Sequence, residues 1–545
     1  MKTQIKNSIY IKIFFIGLMV IVSTQSCTDL DEEQVLYDQV ISDEFYQTEE
    51  EVLSAVGAAY TPMFGFFQNT NMYALNEVPS DEITVPTRGP DWNDGGHWVR
   101  LHRHSWNITD PRIQEAWEWI FGCISSCNRL IALLEPLGTD ISEAFIQELR
   151  ALRAINYYWL LDLYGNVPLV TDFEATEPPA TRSRAEVYEF VEVELLETIP
   201  NLADTGPTDE STYGRVNRWT AYAALVKLYL NAEVYTGTQQ WQKAADAAAE
   251  IINSGQYTLA PNWRDNFVKE NKGASEFIWA VPYDEVFTPG SFHLPVMTLH
   301  QQHQNTYNMS VQPWNGFASV AEFYETFIDP VQNPGPQGDV VGLSPTGDLV
   351  TGTQDARLES FIVGPQFDSD GVTRLVDGAA EASDPDGPPL TITPYINELL
   401  PGGWRQAGAR IGKWEFYNGM GQGLSNDFAV FRYSDILLMR AEALWRMDPG
   451  NAEALMLVNQ IRERAGVDPF DALTEERFLA ERGRELFSEV HRRVDQIRFG
   501  TFNDEWWEHP ADASDHVNIF PVPQSQLLAN PNLVQNPGYP DAGGD

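Results

Sequence analysis

Trp92 and Trp98 frame the segment of this chain best suited to hold a polar ligand. Arg88, Asp91, Asn93 and Asp94 lie between and around the two indoles, and Asp81 stands a few residues upstream. The C–H faces of a pyranose pack on flat rings, and its hydroxyls pair in twos with carboxylate, amide and guanidinium groups. One short segment therefore supplies both kinds of contact. Tyr307, Asn308, Trp314, Asn315 and Phe317 repeat the mixture downstream, with Tyr283 and His293 as weaker candidates. The competing reading of each ring is packing, since an indole in a loop can plug that loop against the core.

Patterns for covalent or metal chemistry do not match. His97, His102 and His104 are close together but fit no zinc spacing. His300 and His303 lack the glutamate of a metalloprotease helix. Asp368-Ser369-Asp370-Gly371 hints at calcium without the closing glutamate of an EF-hand loop, so structural calcium stays open and no other cofactor is expected. Gly419, Gly421 and Gly423 have the wrong spacing for a phosphate loop. No Gly-x-Ser-x-Gly elbow occurs. With 78 acidic residues, two carboxylates at a glycosidase distance arise by chance and carry no weight. An enzyme, a glycoside hydrolase first, is the disfavoured alternative.

The N-terminus reads as an export signal. Lys2, Lys6 and Lys12 precede an unbroken apolar run over residues 13–22, then Ser23, Thr24, Gln25, Ser26 and Cys27. The run is short for a membrane span and has the layout of a secretory leader over residues 1–26. A cysteine at its end can be lipidated and hold a soluble domain on a membrane. The competing reading is an ordinary secreted protein. No second long apolar run is evident, so no other span is expected. The net charge of −43 repels nucleic acid and anionic lipid, and suits a neutral ligand, a cation or a saline habitat. Three cysteines are too few for a disulfide framework. Cys123 and Cys127, four apart in a helical stretch, read as buried packing residues.

Helices must position these loops. Leu152, Ile155, Trp159 and Leu163 keep helical spacing, and the helix stops at Gly165-Asn166. Trp219, Ala223, Val226 and Leu230 mark another, Trp241 to Ile252 a third, joined across Thr236-Gly237-Thr238 as a tetratricopeptide-like pair. Leu437, Ala441 and Leu444, then Ala454, Val458, Ile461 and Ala465, repeat the style as a helical-repeat scaffold would. The spacing predicts one further helix carrying Leu479, Leu486, Val490, Val494 and Ile497. Its charged residues Arg482, Glu485, Glu489, Arg492, Asp495 and Arg498 read as an ion-paired face. Residues 76–110, 283–320 and 329–392 read as loops, with one strand expected over residues 358–363; loops this long are usually functional.

The ordered motifs resemble a known family. They are Leu163-Tyr164-Gly165-Asn166-Val167-Pro168, Gly214-Arg215-Val216-Asn217, Arg432-Tyr433-Ser434-Asp435-Ile436-Leu437, Ile461-Arg462-Glu463-Arg464-Ala465-Gly466, Glu481-Arg482-Gly483-Arg484-Glu485-Leu486 and Phe520-Pro521-Val522-Pro523. In this order and at these separations they resemble the SusD/RagB family of surface lipoproteins, across nearly all of the chain after the leader. The resemblance implies a mostly α fold with four tetratricopeptide-like helix pairs, minor β and long loops. It implies a single unit over residues 27–545, with an N-terminal part near 27–230 and a C-terminal part near 275–545. It implies lipidation at Cys27, display on the outer face of the outer membrane, and a SusC-like TonB-dependent transporter as partner. Such pairs capture and import oligosaccharides, or in some members peptides, without catalysis. The 80–98 segment resembles the loop that carries sugar-binding residues in glycan-binding members, and the 307–317 cluster falls where members bring a second aromatic wall. A peptide- or protein-binding member is the alternative.

Overall fold

In the computed structural model, residues 46, 48–343, 349–379 and 389–542 are described, with backbone only over 337–351. The leader and Cys27 lie outside them. Within the stretch Met1–Glu51, Thr48 and Glu51 bond each other's backbone amides at the start of the helix Glu49–Tyr60. Val52–Asp545 forms one compact unit.

The scaffold is a series of helices, each packed on the next. Pro111–Leu134 packs on Asp140–Leu163, which packs on Arg184–Thr198; Arg218–Leu230 packs on Trp241–Ser254, which packs on Tyr433–Met447 and, through it, on Ala452–Ala465. Local chemistry sets their ends. Thr139, Ser183 and Asn217 cap helix starts with capping boxes, and Gly255 and Gly466 end helices at φ of 67° and 78°, where only glycine is unstrained. Alanines 244, 245 and 248 are buried at the contact of Trp241–Ser254, as their spacing predicts. A short extra helix, Ala232–Thr236, fills the hairpin. Pro111–Leu137 is by length and composition apolar enough to cross a membrane, a second apolar run where none was expected, though a buried core helix passes the same test. Its apolar stripe is buried on its neighbours, and Cys123 and Cys127 are free and buried within it.

Residues between the last two helix pairs form a long excursion. Its two ends are clamped by antiparallel strands, Phe277–Val281 and Phe428–Arg432, every residue of which is buried. The 307–317 candidate segment lies within this excursion. The strand expected over residues 358–363 is a 3-10 turn, Ala356–Ser360, followed by a two-residue strand, Phe361–Ile362. Residues 76–110, which begin at the last turn of Met72–Glu77, contain one short α-helix, His97–His102, where a loop is expected.

The single helix expected over 479–497 is two: Glu475–Leu486 and Arg492–Phe499. Ser488 and Val490 take left-handed φ values of 63° and 69°. The cause is remote. Ser488 N donates to Glu82 Oε2 at 3.2 Å, and Val490 N donates to Glu77 Oε1 at 2.5 Å. These carboxylates take amides that would otherwise continue the helix. The charged residues expected to pair do pair, Arg498 with Asp495 inside one helix and the others mostly between elements. Arg432 bonds Glu276, Glu485 and Glu489; Arg357 bonds Asp355 and Glu481; Arg482 bonds Asp435 and Asp495. Their side chains are almost wholly out of solvent, so each charge depends on its partners.

Candidate ligand-binding face

Two small pairings bring the distant candidate segments together. Ile83–Thr84 pairs antiparallel with Ala318–Ser319, in register Ile83 to Ser319. Thr87 N donates to Leu399 O at 2.8 Å, and Gly403 N returns a bond to Thr87 O at 3.1 Å. The loop after residue 80 is thereby stitched to the 315–320 and 399–410 segments.

Arg88 lies at the centre of this stitching. Its Nε donates to Trp404 O at 3.1 Å, Nη1 to Asn315 O and Gly316 O at 2.7 and 2.8 Å, and Nη2 to Ala407 O at 2.8 Å. Burial pushes its pKa down to about 9, and the Arg405 charge adds to the effect. Asp81 gives both carboxylate oxygens to Arg492, at 2.6 and 2.8 Å. Arg88 is buried and the partly exposed Asp81 is committed to Arg492; both hold loops in place.

The two indoles expected to stack on a ligand stack on the protein. Trp98 is 1% exposed and donates Nε1 to Asp94 Oδ2 at 2.8 Å. Trp92 is 9% exposed, donates Nε1 to Trp314 O at 2.7 Å and lies edge-on to Phe317 at 5.5 Å between ring centres. Trp92 and Trp98 also meet each other edge-on at 5.6 Å. The competing reading, a plug of the loop against the core, describes both. Trp92 takes φ of 60° to reach this seat, strain that surrounding contacts must hold.

Other members of the set face outward. Asn93, Asp94 and Asn308 are exposed, and Asp91, Tyr307 and Trp314 are partly so. Trp314 and Tyr307 are the partly exposed rings of the set, and Trp314 is the one that Trp92 supports. It meets Trp92 at 6.1 Å and the edge of His293 at 5.9 Å. Burial pushes the His293 pKa down to about 4, so its imidazole is neutral near pH 7. His293 Nε2 lies 3.3 Å from the exposed Gln422 amide. On the Asp91 side, Arg405 Nη1 is 3.9 Å from Asp91 Oδ2, and Arg405 donates to Asp377 Oδ2 at 2.5 Å and Gln301 Oε1 at 3.2 Å. Burial acts to raise the Asp377 pKa, but hydrogen bonds from His300 and Arg405 win and hold it well below the usual carboxylate range. Asn308 Nδ2 donates to Asn418 Oδ1 at 2.6 Å, and Gly419 N donates to Tyr307 O at 2.7 Å. The result is a partly exposed indole beside His293, itself bonded to the exposed Gln422 amide, an arrangement able to stack on one face of a ligand and to hydrogen-bond its rim.

Two family models match the chain. One, described as starch-binding associating with outer membrane, covers residues 36–230; the other, described as SusD family, covers residues 401–539. The chain belongs to the SusD family. The starch-binding protein SusD of Bacteroides thetaiotaomicron is 27% identical over 511 residues, 87% of this chain and 86% of that one. A SusD superfamily protein from Parabacteroides distasonis superposes with a TM-score of 0.69 at 21% identity, covering 90% of this chain and 99% of its own. Surface glycan-binding protein A from Bacteroides thetaiotaomicron, solved in complex with laminarihexaose, superposes with a TM-score of 0.66 at 21% identity, covering 89% and 99%. These superpositions establish the fold.

Within this SusD-family chain, sequence reasoning passed over Arg405, Asp377, Gln301 and Gln422. Their spacing carries no local signal, because each lies in a separate stretch: Arg405 meets Asp377 and Gln301, and Gln422 meets His293. His293 is only a weak candidate in the sequence. The Asp368–Asp370 turn, read as a hint of calcium, spends its carboxylates on its own backbone: Asp370 Oδ1 accepts from Val372 N and Thr373 N, both at 2.8 Å.

Proposed function

We propose that this protein is a non-catalytic, cell-surface glycan-binding lipoprotein. It captures oligo- or polysaccharide and delivers it to a SusC-like TonB-dependent transporter of the outer membrane. The observation that carries the binding role is the partly exposed Trp314 indole, which meets Trp92 and His293, with His293 in turn bonded to the exposed Gln422 amide. Such a site stacks on a sugar ring and bonds its hydroxyls. Family membership and the starch- and laminarihexaose-binding relatives support the sugar assignment. The leader ending at Cys27 supports lipid anchoring at the cell exterior.

A panel of polysaccharides run by affinity electrophoresis, with a reducing-end assay alongside, tests this reading. Retardation by one glycan class without new reducing ends is expected. Retardation by none, with binding to peptides instead, assigns the protein to the peptide-binding alternative; new reducing ends overturn the non-catalytic assignment.

A further inference from the structure

His104, His509 and Asp512 converge from two distant segments onto one point. Their donor atoms all lie within 4.8 Å of one another. His104 Nδ1 is 2.6 Å, and His509 Nε2 3.7 Å, from Asp512 Oδ2. Ligands of a four-coordinate zinc at about 2.0–2.1 Å sit roughly 3.3 Å apart. The two measured separations straddle that value, so a small rotation of the Asp512 side chain accommodates an ion.

Two features beyond proximity point to a ligand. His104 Nε2 lies 2.7 Å from Pro79 O, an acceptor only, so Nε2 donates there and Nδ1 is the nitrogen turned to the cluster, where it donates to Asp512 Oδ2 until an ion displaces its proton. A backbone carbonyl behind a metal-bound histidine fixes the tautomer in this way. His509 is 1% exposed, and its Nε2 has no hydrogen-bond partner among the described residues. An orphaned buried ring nitrogen costs on the order of 1–3 kcal/mol unless something ligates it. The ring is held in position by stacking on Trp506 at 3.7 Å and by backbone bonds between residues 506 and 509. Asp512 is anchored by its own amide to Asn503 O at 3.0 Å. Its side chain is one-tenth exposed beside the exposed Pro510, Ala511 and Ala513, which leaves an ion a path from solvent.

We propose that His104, His509 and Asp512 bind one divalent transition-metal ion of the zinc class. Two imidazoles and a carboxylate suit zinc, cobalt or nickel better than calcium. The ion ties the segment after His97–His102 to the 500–514 loop. That loop carries Trp507, which packs on Ala318, Ile396 and Ala407, and Ala407 O is an Arg88 acceptor. The ion therefore braces the scaffold behind the ligand-binding face and takes no part in ligand contact.

Tag-free mature protein, stripped with a chelator, is titrated with Co(II) and Zn(II). Absorption in the visible, metal content after dialysis and melting temperature are read. One equivalent of tightly held metal, d–d bands with Co(II) and a raised Tm are expected. His509→Gln and Asp512→Asn should each weaken binding at least tenfold while keeping the native near-UV circular dichroism. No stoichiometric metal on the wild-type protein overturns the proposal, as does unchanged binding in both natively folded variants.

Discussion

The Trp92 indole donates to the carbonyl of Trp314 at 2.7 Å, so the buried ring of one candidate segment supports the half-exposed ring of the other. Trp92 reaches that carbonyl by lying directly on Gly316. A Cβ built on Gly316 would meet the indole at 2.3 Å, closer than any real contact. Gly316→Ala should therefore push Trp92 out of its seat and cost about 1–3 kcal/mol, as overpacking does. Chemical denaturation checks this; an unchanged midpoint would mean that the ring has room to move.

Trp98 and Trp314 should separate stability from binding. Trp98 is enclosed by Trp92, His97 and Phe317, and Trp98→Ala should cost about 3–5 kcal/mol of stability. Any loss of binding in that variant should track the loss of folded protein. Trp314→Ala should leave the melting temperature within a few degrees and abolish retardation by glycan. The reverse pattern would place the ligand on the Trp98 side.

The buried ion network should fail when one member is neutralised. Glu485 takes Arg432 at 2.7 Å and Arg357 at 3.4 Å, and also pairs with Arg464. Glu485→Gln leaves three guanidinium groups short of charge and should cost about 3–5 kcal/mol in urea denaturation. A loss below about 1 kcal/mol would show that water or rearrangement replaces the missing charge.

Stability should peak at mildly acidic pH. Burial acts to raise the pKa values of Glu485 and Asp495, but their arginine partners win and hold both at about 2. Groups depressed on folding contribute stability above their unfolded values, and that stability is lost as pH falls from about 4 towards 2. Glu77 behaves oppositely. Burial raises its pKa above the usual range, so the folded state keeps a proton that the unfolded state releases. Its contribution is present below the unfolded value and is lost as pH rises through the folded one. Melting temperature should fall between about pH 5 and pH 8 in the wild type and less steeply in Glu77→Gln. Parallel profiles would contradict this assignment of Glu77.

The helices were legible because their periodicity and capping residues are local. Leu152 to Leu163 and Ala454 to Ala465 each announce a buried stripe, and Gly466 announces the stop. The break at 487–491 was not legible, because it is imposed by Glu77 and Glu82 from 400 residues away. The two candidate segments meet through Trp92 and Trp314, yet the roles of their residues turn on contacts that no spacing encodes. Arg88 and Trp92 look like ligand groups until Asn315, Gly316 and Trp314 are brought against them. Arg405, Asp377 and Gln301 became visible only once the two loops were stitched together.

The central claim is that glycan stacks on Trp314 while Trp92 holds that ring from below. Isothermal titration of the glycan found by electrophoresis, into wild type and Trp314→Ala, tests it most directly. Base–aromatic and sugar–aromatic stacking alike are worth a few kcal/mol, so at least a tenfold loss of affinity is expected, with near-UV circular dichroism otherwise native. Equal affinity in the two proteins would contradict the account and move the binding site away from this face.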